Sequence, residues 1–197
     1  MKKNVLLASL ALTVVFAACE KKPAEQVPDV ATQDTAVVRR DEPNPVTDPA
    51  TYDWANIDLN VPDITYPEIT GKNITLRGND RYTVYSLGDN VLFGTNKADI
   101  NAAAEADLKQ VAASINQRYN GGWVRLYGFT DAVAGDSTNK GLSAARAEAV
   151  KSWMVKNGFD GNRISVNAMG ENNPVATNAT EKGRQQNRRV EIVAVGK

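Results

Sequence analysis

The chain has 197 residues, with 23 lysines and arginines balanced by 23 aspartates and glutamates, no histidine and one cysteine, Cys19. That inventory excludes disulfide frameworks, Ser–His–Asp triads, Cys–His nucleophiles and the usual histidine- and cysteine-based zinc sites. A metal would need oxygen ligands, and the sequence has no clustered Asp/Glu loop of calcium-binding form, so neither a metal nor another cofactor is expected.

The first element is a leader. Lys2 and Lys3 precede an apolar run over 5–16 that is too short to span a bilayer core, and Ala17-Ala18-Cys19 then presents small residues before the cysteine. This pattern predicts a signal peptide over 1–18. The run Phe16-Ala17-Ala18-Cys19 resembles a bacterial lipobox, which makes Cys19 the expected lipidation site; two or more acyl chains there suffice for stable anchoring in a membrane.

Composition shifts near residue 70. Seven of the eight prolines lie between Pro23 and Pro67, and all 14 glycines lie from Gly71 onward. Residues 20–70 carry eleven acids against four bases, a net −7, whereas residues 71–197 carry seventeen bases against twelve acids, a net +5. Proline without glycine, together with like charge, favours extended chain, so residues 19–50 read as a linker. The roughly fifty residues after Cys19 reach about 150 Å at full extension. In the stretch 51–70, Ile57, Leu59 and Val61 alternate, and Tyr52, Trp54 and Tyr66 add aromatic area. Two readings stand side by side: an extended strap packed on the domain, or a segment that docks another envelope protein by strand addition.

From residue 71 the pattern is α+β. Short strands are predicted over 74–76 and 82–87, separated by the turn signal Gly78-Asn79-Asp80, with a further strand over 91–93 after Gly88-Asp89. Ile100, Ala104, Leu108, Val111 and Ile115 recur at helical spacing, with Thr95 or Asn96 as cap. Gly121-Gly122 ends that connection, and Val124 and Leu126 face one side of a strand finishing at Gly128. A polar loop over 132–140 leads to a second helix over 142–156, with Leu142, Ala145, Ala149 and Trp153 as its buried stripe and Gly158 past its end. A strand over 164–168, a long loop with Pro174, and a last strand carrying Val190, Ile192 and Ala194 complete the order β-α-β-α-β-β. Helices covering one face of a mixed sheet is the expected assembly, and residues 71–197 are enough for one core.

Charged residues near the element ends are the candidate site. Arg146 has Leu142, Ser143, Ala149 and Val150 as its helical neighbours, none acidic, so its partner must be tertiary, solvent or ligand. Placed near its helix start, it would offer an anion paired hydrogen bonds beside free helix N–H groups. Asp131, just past a strand end, could accept from an ammonium or close an Asx turn. Asn139 could contact ligand or cap the second helix. Arg188 shares strand parity with Val190 and Ile192 and so points to the helix side, at the rim. Arg189 shares parity with Glu191 and is expected in a cross-strand pair on the opposite face. Arg184 reads as a loop or surface residue. One carboxylate and two guanidiniums around a pocket suit a zwitterion.

Several motifs then combine: Phe93, Thr95-Asn96-Lys97, Gly128-Phe129-Thr130-Asp131, Asn139, Leu142-Ser143-Ala144-Ala145-Arg146-Ala147, Gly170-Glu171 with Pro174, and Gly183-Arg184 through Arg188-Arg189-Val190-Glu191-Ile192. They closely resemble the C-terminal domain of outer membrane protein A, the OmpA-like domain shared with peptidoglycan-associated lipoproteins and flagellar stator proteins, over residues 80–197. The resemblance implies non-covalent binding of peptidoglycan stem peptides through diaminopimelate, with Asp131 and Arg146 holding its zwitterionic end. It places Thr130, Asn139, Leu142, Asn187 and Arg188 at contact positions. Phe129 stands where a histidine is common, and Gly94 where an aspartate often follows the phenylalanine. The expected protein is an outer-membrane lipoprotein with its domain in the periplasm, tethering membrane to wall. It is not expected to be an enzyme or to bind nucleic acid; docking of other envelope proteins is the alternative. A wall hydrolase would need two facing carboxylates at a set separation, with only Asp131 and Glu171 on offer.

Overall fold

The structure, a computed structural model, describes residues 49, 51–94 and 98–196. The expected signal peptide, Cys19 and nearly all of the expected linker lie outside the described residues, as do Thr95 and Asn96, the expected caps. Every described residue belongs to one compact unit, Pro43–Lys197.

Period-two alternation builds a five-stranded sheet. Its strands are β1 (Ile74–Gly78), β2 (Tyr82–Gly88), β3 (Trp123–Phe129), β4 (Ile164–Gly170) and β5 (Arg189–Val195), in the order β1-β2-β5-β3-β4. Only β3 and β4 run parallel; the other pairs are antiparallel. The last strand of the chain is thus the middle of the sheet, and every residue of β5 is buried. Tyr85 and Leu87 of β2, Val124 and Leu126 of β3, and Val190, Ile192 and Ala194 of β5 face the helices. They meet Leu108, Val111 and Ile115 of α2 (Glu105–Arg118) and Ala147, Val150, Trp153 and Met154 of α3 (Asp136–Lys156). Helices on one face of a mixed sheet, the α+β arrangement read from the sequence, is what the chain forms.

The other face is also apolar. Val84, Trp123, Tyr127, Phe129, Val193 and Val195 lie there, covered by Trp54 with Tyr52, Ile57, Leu59 and Val61. Residues 51–70 run over the sheet and along its β1 edge: Ile64 N–H donates to Leu76 O at 3.0 Å, and Gly78 N–H to Pro62 O at 3.0 Å. The backbone that strand addition would need is engaged within the chain at these points.

Four local expectations are corrected. Residues 91–93 are not a strand. β2 stops at Gly88, where its partner β5 begins at Arg189, and the chain turns through α1 (Asp89–Leu92), closed by Phe93 N–H on Asp89 O at 2.8 Å. α3 begins at Asp136, six residues before its apolar pattern, because its first turns bury Asn139 and Ser143 instead of hydrocarbon. Its buried stripe is Ala147, Val150, Trp153 and Met154, with Ala145 exposed. The stretch read as a loop contains a helix, α4 (Glu181–Asn187), with no large apolar side chain; Thr180 caps it by accepting from Gly183 N–H at 3.1 Å. At the far end of α3, Gly158 takes φ +96°, the left-handed conformation that glycine tolerates best.

Candidate functional site

Three chain segments end at one corner of the sheet: α1 after β2, the loop after β3, and α4 before β5. The N-terminal half of α3 lies across them. It can do so because Gly128, at the end of β3, has no side chain; a Cβ there would collide with the Ser143 backbone. Ser143 fixes the approach, donating to Lys140 O at 2.9 Å and accepting from Gly170 N–H at 3.1 Å. The corner holds a cleft of about 670 Å³.

Arg146 forms its wall. It is only 3% exposed, and Nη2 donates to Asp89 Oδ2 at 2.9 Å. Its Nε and Nη1 are buried and have no hydrogen-bond partner among the described residues. The guanidinium also lies 5.7 Å from the centre of the Phe93 ring. Because α3 starts ten residues earlier, Arg146 is mid-helix, and the expected help from free helix N–H groups is lost. What remains is a buried cation with unused donors.

Asp131 closes the Asx turn considered for it and is also paired with a guanidinium of the chain. Its Oδ1 accepts from Val133 N–H at 3.2 Å, closing an Asx turn, and its Oδ2 accepts from Arg188 Nη1 at 2.6 Å. Arg188 also donates to Glu181 Oε1 at 3.1 Å and lies 3.8 Å from Asp89. It therefore links carboxylates from α1, the β3 loop and α4. Arg184, on α4 and lining the cleft, is held by Glu181 at 2.7 Å and by Asn178 O.

The remaining predicted residues divide. Thr130 is 4% exposed, lines the cleft, and its hydroxyl has no partner among the described residues. Leu142 is half-buried and lines it too. Asn139 lines it from within α3, so it is not that helix's cap; its Nδ2 donates to Ala134 O at 2.8 Å and to Glu171 Oε2 at 2.7 Å. Asn187 does not line the cleft. Its carboxamide is spent on the neighbouring loop, accepting from Val175 and Ala176 N–H and donating to Ala176 O and Asn178 Oδ1. Arg189 lies on the opposite face as its parity requires, but pairs within its own strand, with Glu191 at 2.7 Å.

Asp89, Glu181 and Arg184 are site residues that sequence reasoning missed, Arg184 being a helical residue of the cleft and not the loop or surface residue expected. Asp89 sits in a turn signal, and the only hint of it was the carboxylate that Arg146 lacked nearby. Burial pushes the Asp89 carboxyl up, outweighing the attraction of Arg146 and Arg188. Burial likewise pushes Arg146 down, against the pull of Asp89. Both shifts say that desolvation dominates and that the pair is held in a poorly solvated site. Arg188 behaves differently: burial alone would lower it, but its bonds to Asp131 and Glu181 raise it. Among the described residues, three carboxylates and three guanidiniums thus face one cleft, and of these guanidiniums only Arg146 keeps buried N–H groups unused. Such a site can take a carboxylate at Arg146 and an ammonium at Asp131 together. Among the described residues, no group of three or more His, Cys, Asp or Glu side chains could hold a metal ion.

Residues 92–188 match the OmpA family. A probable lipoprotein of Escherichia coli (strain K12), YiaD, is 35% identical over 123 residues, which cover 62% of this chain and 55% of that protein. The periplasmic domain of Helicobacter pylori MotB (residues 90-256) superposes with a TM-score of 0.57 at 26% identity, over 64% of this chain and 82% of that one. The cell wall anchor of the T6SS from Pseudomonas aeruginosa does so with a TM-score of 0.57 at 26% identity, over 64% and 89%. The chain spans about half the length of the curated relatives it matches. Every charged residue of the cleft except Asp89 falls inside the matched span.

Proposed function

We propose, on the premise that residues 92–188 form an OmpA-like domain, that this protein binds peptidoglycan non-covalently and is held to the outer membrane by lipid on Cys19, tethering membrane to wall. The ligand group is the zwitterionic end of diaminopimelate in a stem peptide: its carboxylate on Arg146, its ammonium on Asp131. The observation that carries this is Arg146, almost fully buried in the cleft with two nitrogens lacking partners among the described residues. A solved relative described as a cell wall anchor supports the wall as target, and a relative described as a probable lipoprotein supports the anchor. The linker between Cys19 and the domain would bridge the gap.

Charge-assisted hydrogen bonds contribute about 1.5–3 kcal/mol each, so two or three give modest affinity at one site. A wall presenting many identical peptides raises apparent binding through multivalency. The test is co-sedimentation with purified sacculi after cell fractionation. Asp131→Ala and Arg146→Ala should each lower retention on sacculi, while Cys19→Ala should leave retention intact and release the protein from the membrane fraction. Undiminished retention by both folded charge variants overturns the pocket assignment, and membrane association of Cys19→Ala overturns the anchor.

A further inference from the structure

A second cavity, of about 630 Å³, lies on the sheet face opposite the helices. The strap supplies Ile57 and Leu59 to it, and the sheet supplies Arg77, Arg125, Tyr127 and Arg189. The strap residues and Arg77 precede the span that matches the OmpA family, so this cavity is assembled partly from chain outside that match.

Its charges do not balance. Arg77 Nη2 and Arg189 Nε donate to the same oxygen, Oε1 of Glu191, at 2.5 and 2.7 Å. Glu191 is fully buried, and its other oxygen has no partner among the described residues. One carboxylate therefore serves two guanidiniums. Arg125 makes no salt bridge among the described residues; its Nε donates to Ser165 Oγ at 3.0 Å, and its guanidinium lies 4.6 Å from the centre of the Trp54 ring. Glu191 itself does not line the cavity; among the described residues the only acid that does is Asp58, exposed on the strap. Three guanidiniums and one carboxylate thus line the cavity, and Glu191 is bonded to two of those guanidiniums. The rest of the lining mixes apolar surface from Ile57 and Met169 with the carboxamide of Asn167.

We infer that this cavity is a second ligand site, for a small molecule carrying one oxyanion on a sugar-sized, partly apolar body. Arg125 is the group that meets the oxyanion, since Arg77 and Arg189 are already committed to Glu191. A planar guanidinium can give an oxyanion two parallel N–H bonds. The volume lies in the range typical of small-molecule pockets, about 300–1,000 Å³. The strap forms one wall of the cavity, held there by Arg77 Nη1 on Leu59 O at 2.6 Å and by the Tyr82 hydroxyl on Asp58 O at 3.0 Å.

The same chemistry can come from a carboxylated wall sugar or from a phospholipid headgroup. Calorimetric titration of the full-length protein with N-acetylmuramic acid, with glycerol 3-phosphate, and with neutral N-acetylglucosamine separates these sources. At least one anion should bind saturably, about tenfold or more tighter than the neutral sugar, the factor expected for one charge-assisted hydrogen bond. Arg125→Gln should remove that preference. Met169→Trp, which fills the cavity and keeps every charge, should block binding as well. Arg146→Ala should leave it unchanged, and Arg125→Gln should leave retention on sacculi unchanged, so this site and the cleft fail separately. No saturable binding of either anion, equal binding of the neutral sugar, or indifference to both cavity variants overturns the inference.

Discussion

Arg146 and Asn187 show how two buried polar residues near one corner come to different uses. Arg146 is buried with donors to spare, so desolvation is offset only in part by Asp89, and a ligand carboxylate would complete its shell. Asn187 is equally buried, but its carboxamide is fully engaged by residues 175–178. Its task is to hold the loop before α4, and through it Glu181 and Arg188. Asn187→Ala should therefore destabilise the protein by about 1–2 kcal/mol in urea denaturation, because two backbone N–H groups lose their acceptor in a partly buried setting. An unchanged midpoint would show that the loop stands without it. At this scale the sequence was legible in part. Asp131 and Arg146 could be placed in one pocket from motif spacing and resemblance. Asp89 could not, because its partner lies 57 residues away and no local pattern records a tertiary pair.

Elements with apolar periodicity were readable, and those with polar buried faces were not. α2 could be found from Leu108, Val111 and Ile115, all in the core. The first turns of α3 and the whole of α4 bury asparagine, serine and glycine, so hydrophobic spacing is silent there. The corner that forms the cleft was consequently the least legible part of the fold. The strap is tied to α2 by charge: Glu68 takes Arg118 Nε and Nη2 at 2.6 and 3.0 Å and accepts from Ser114 Oγ at 2.9 Å. Arg118, which also lies over the Tyr66 ring, is the main cause that lowers the Glu68 carboxyl to about 2, with burial opposing it. A depressed carboxyl contributes stability that is fully present above its ordinary value near 4.5 and is lost as pH falls through about 2. The pair is partly exposed, so the effect is screened by solvent. Glu68→Gln should lower the urea midpoint at pH 7 and flatten its decline between pH 4.5 and 2, measured side by side with the parent protein. A parallel decline in both proteins would detach the strap from this ion pair.

Across the described residues, the fold is a sheet covered twice, by helices on one face and by the strap on the other, with the charged cleft at the corner where α1, α3 and α4 converge. Placing β5 in the middle of the sheet sets Arg188, at its start, between the ends of β2 and β3. That topology is what brings Asp89, Asp131 and Arg188 together from distant parts of the chain. On the proposed function, modest binding at one cleft is reinforced by the density of identical peptides in the wall. The most direct measurement is a crystal structure of the protein with a stem peptide that contains diaminopimelate. The account requires the peptide's free carboxylate within hydrogen-bond distance of Arg146 and its ammonium on Asp131. A peptide bound elsewhere, with Arg146 still bonded to Asp89 alone, would contradict it.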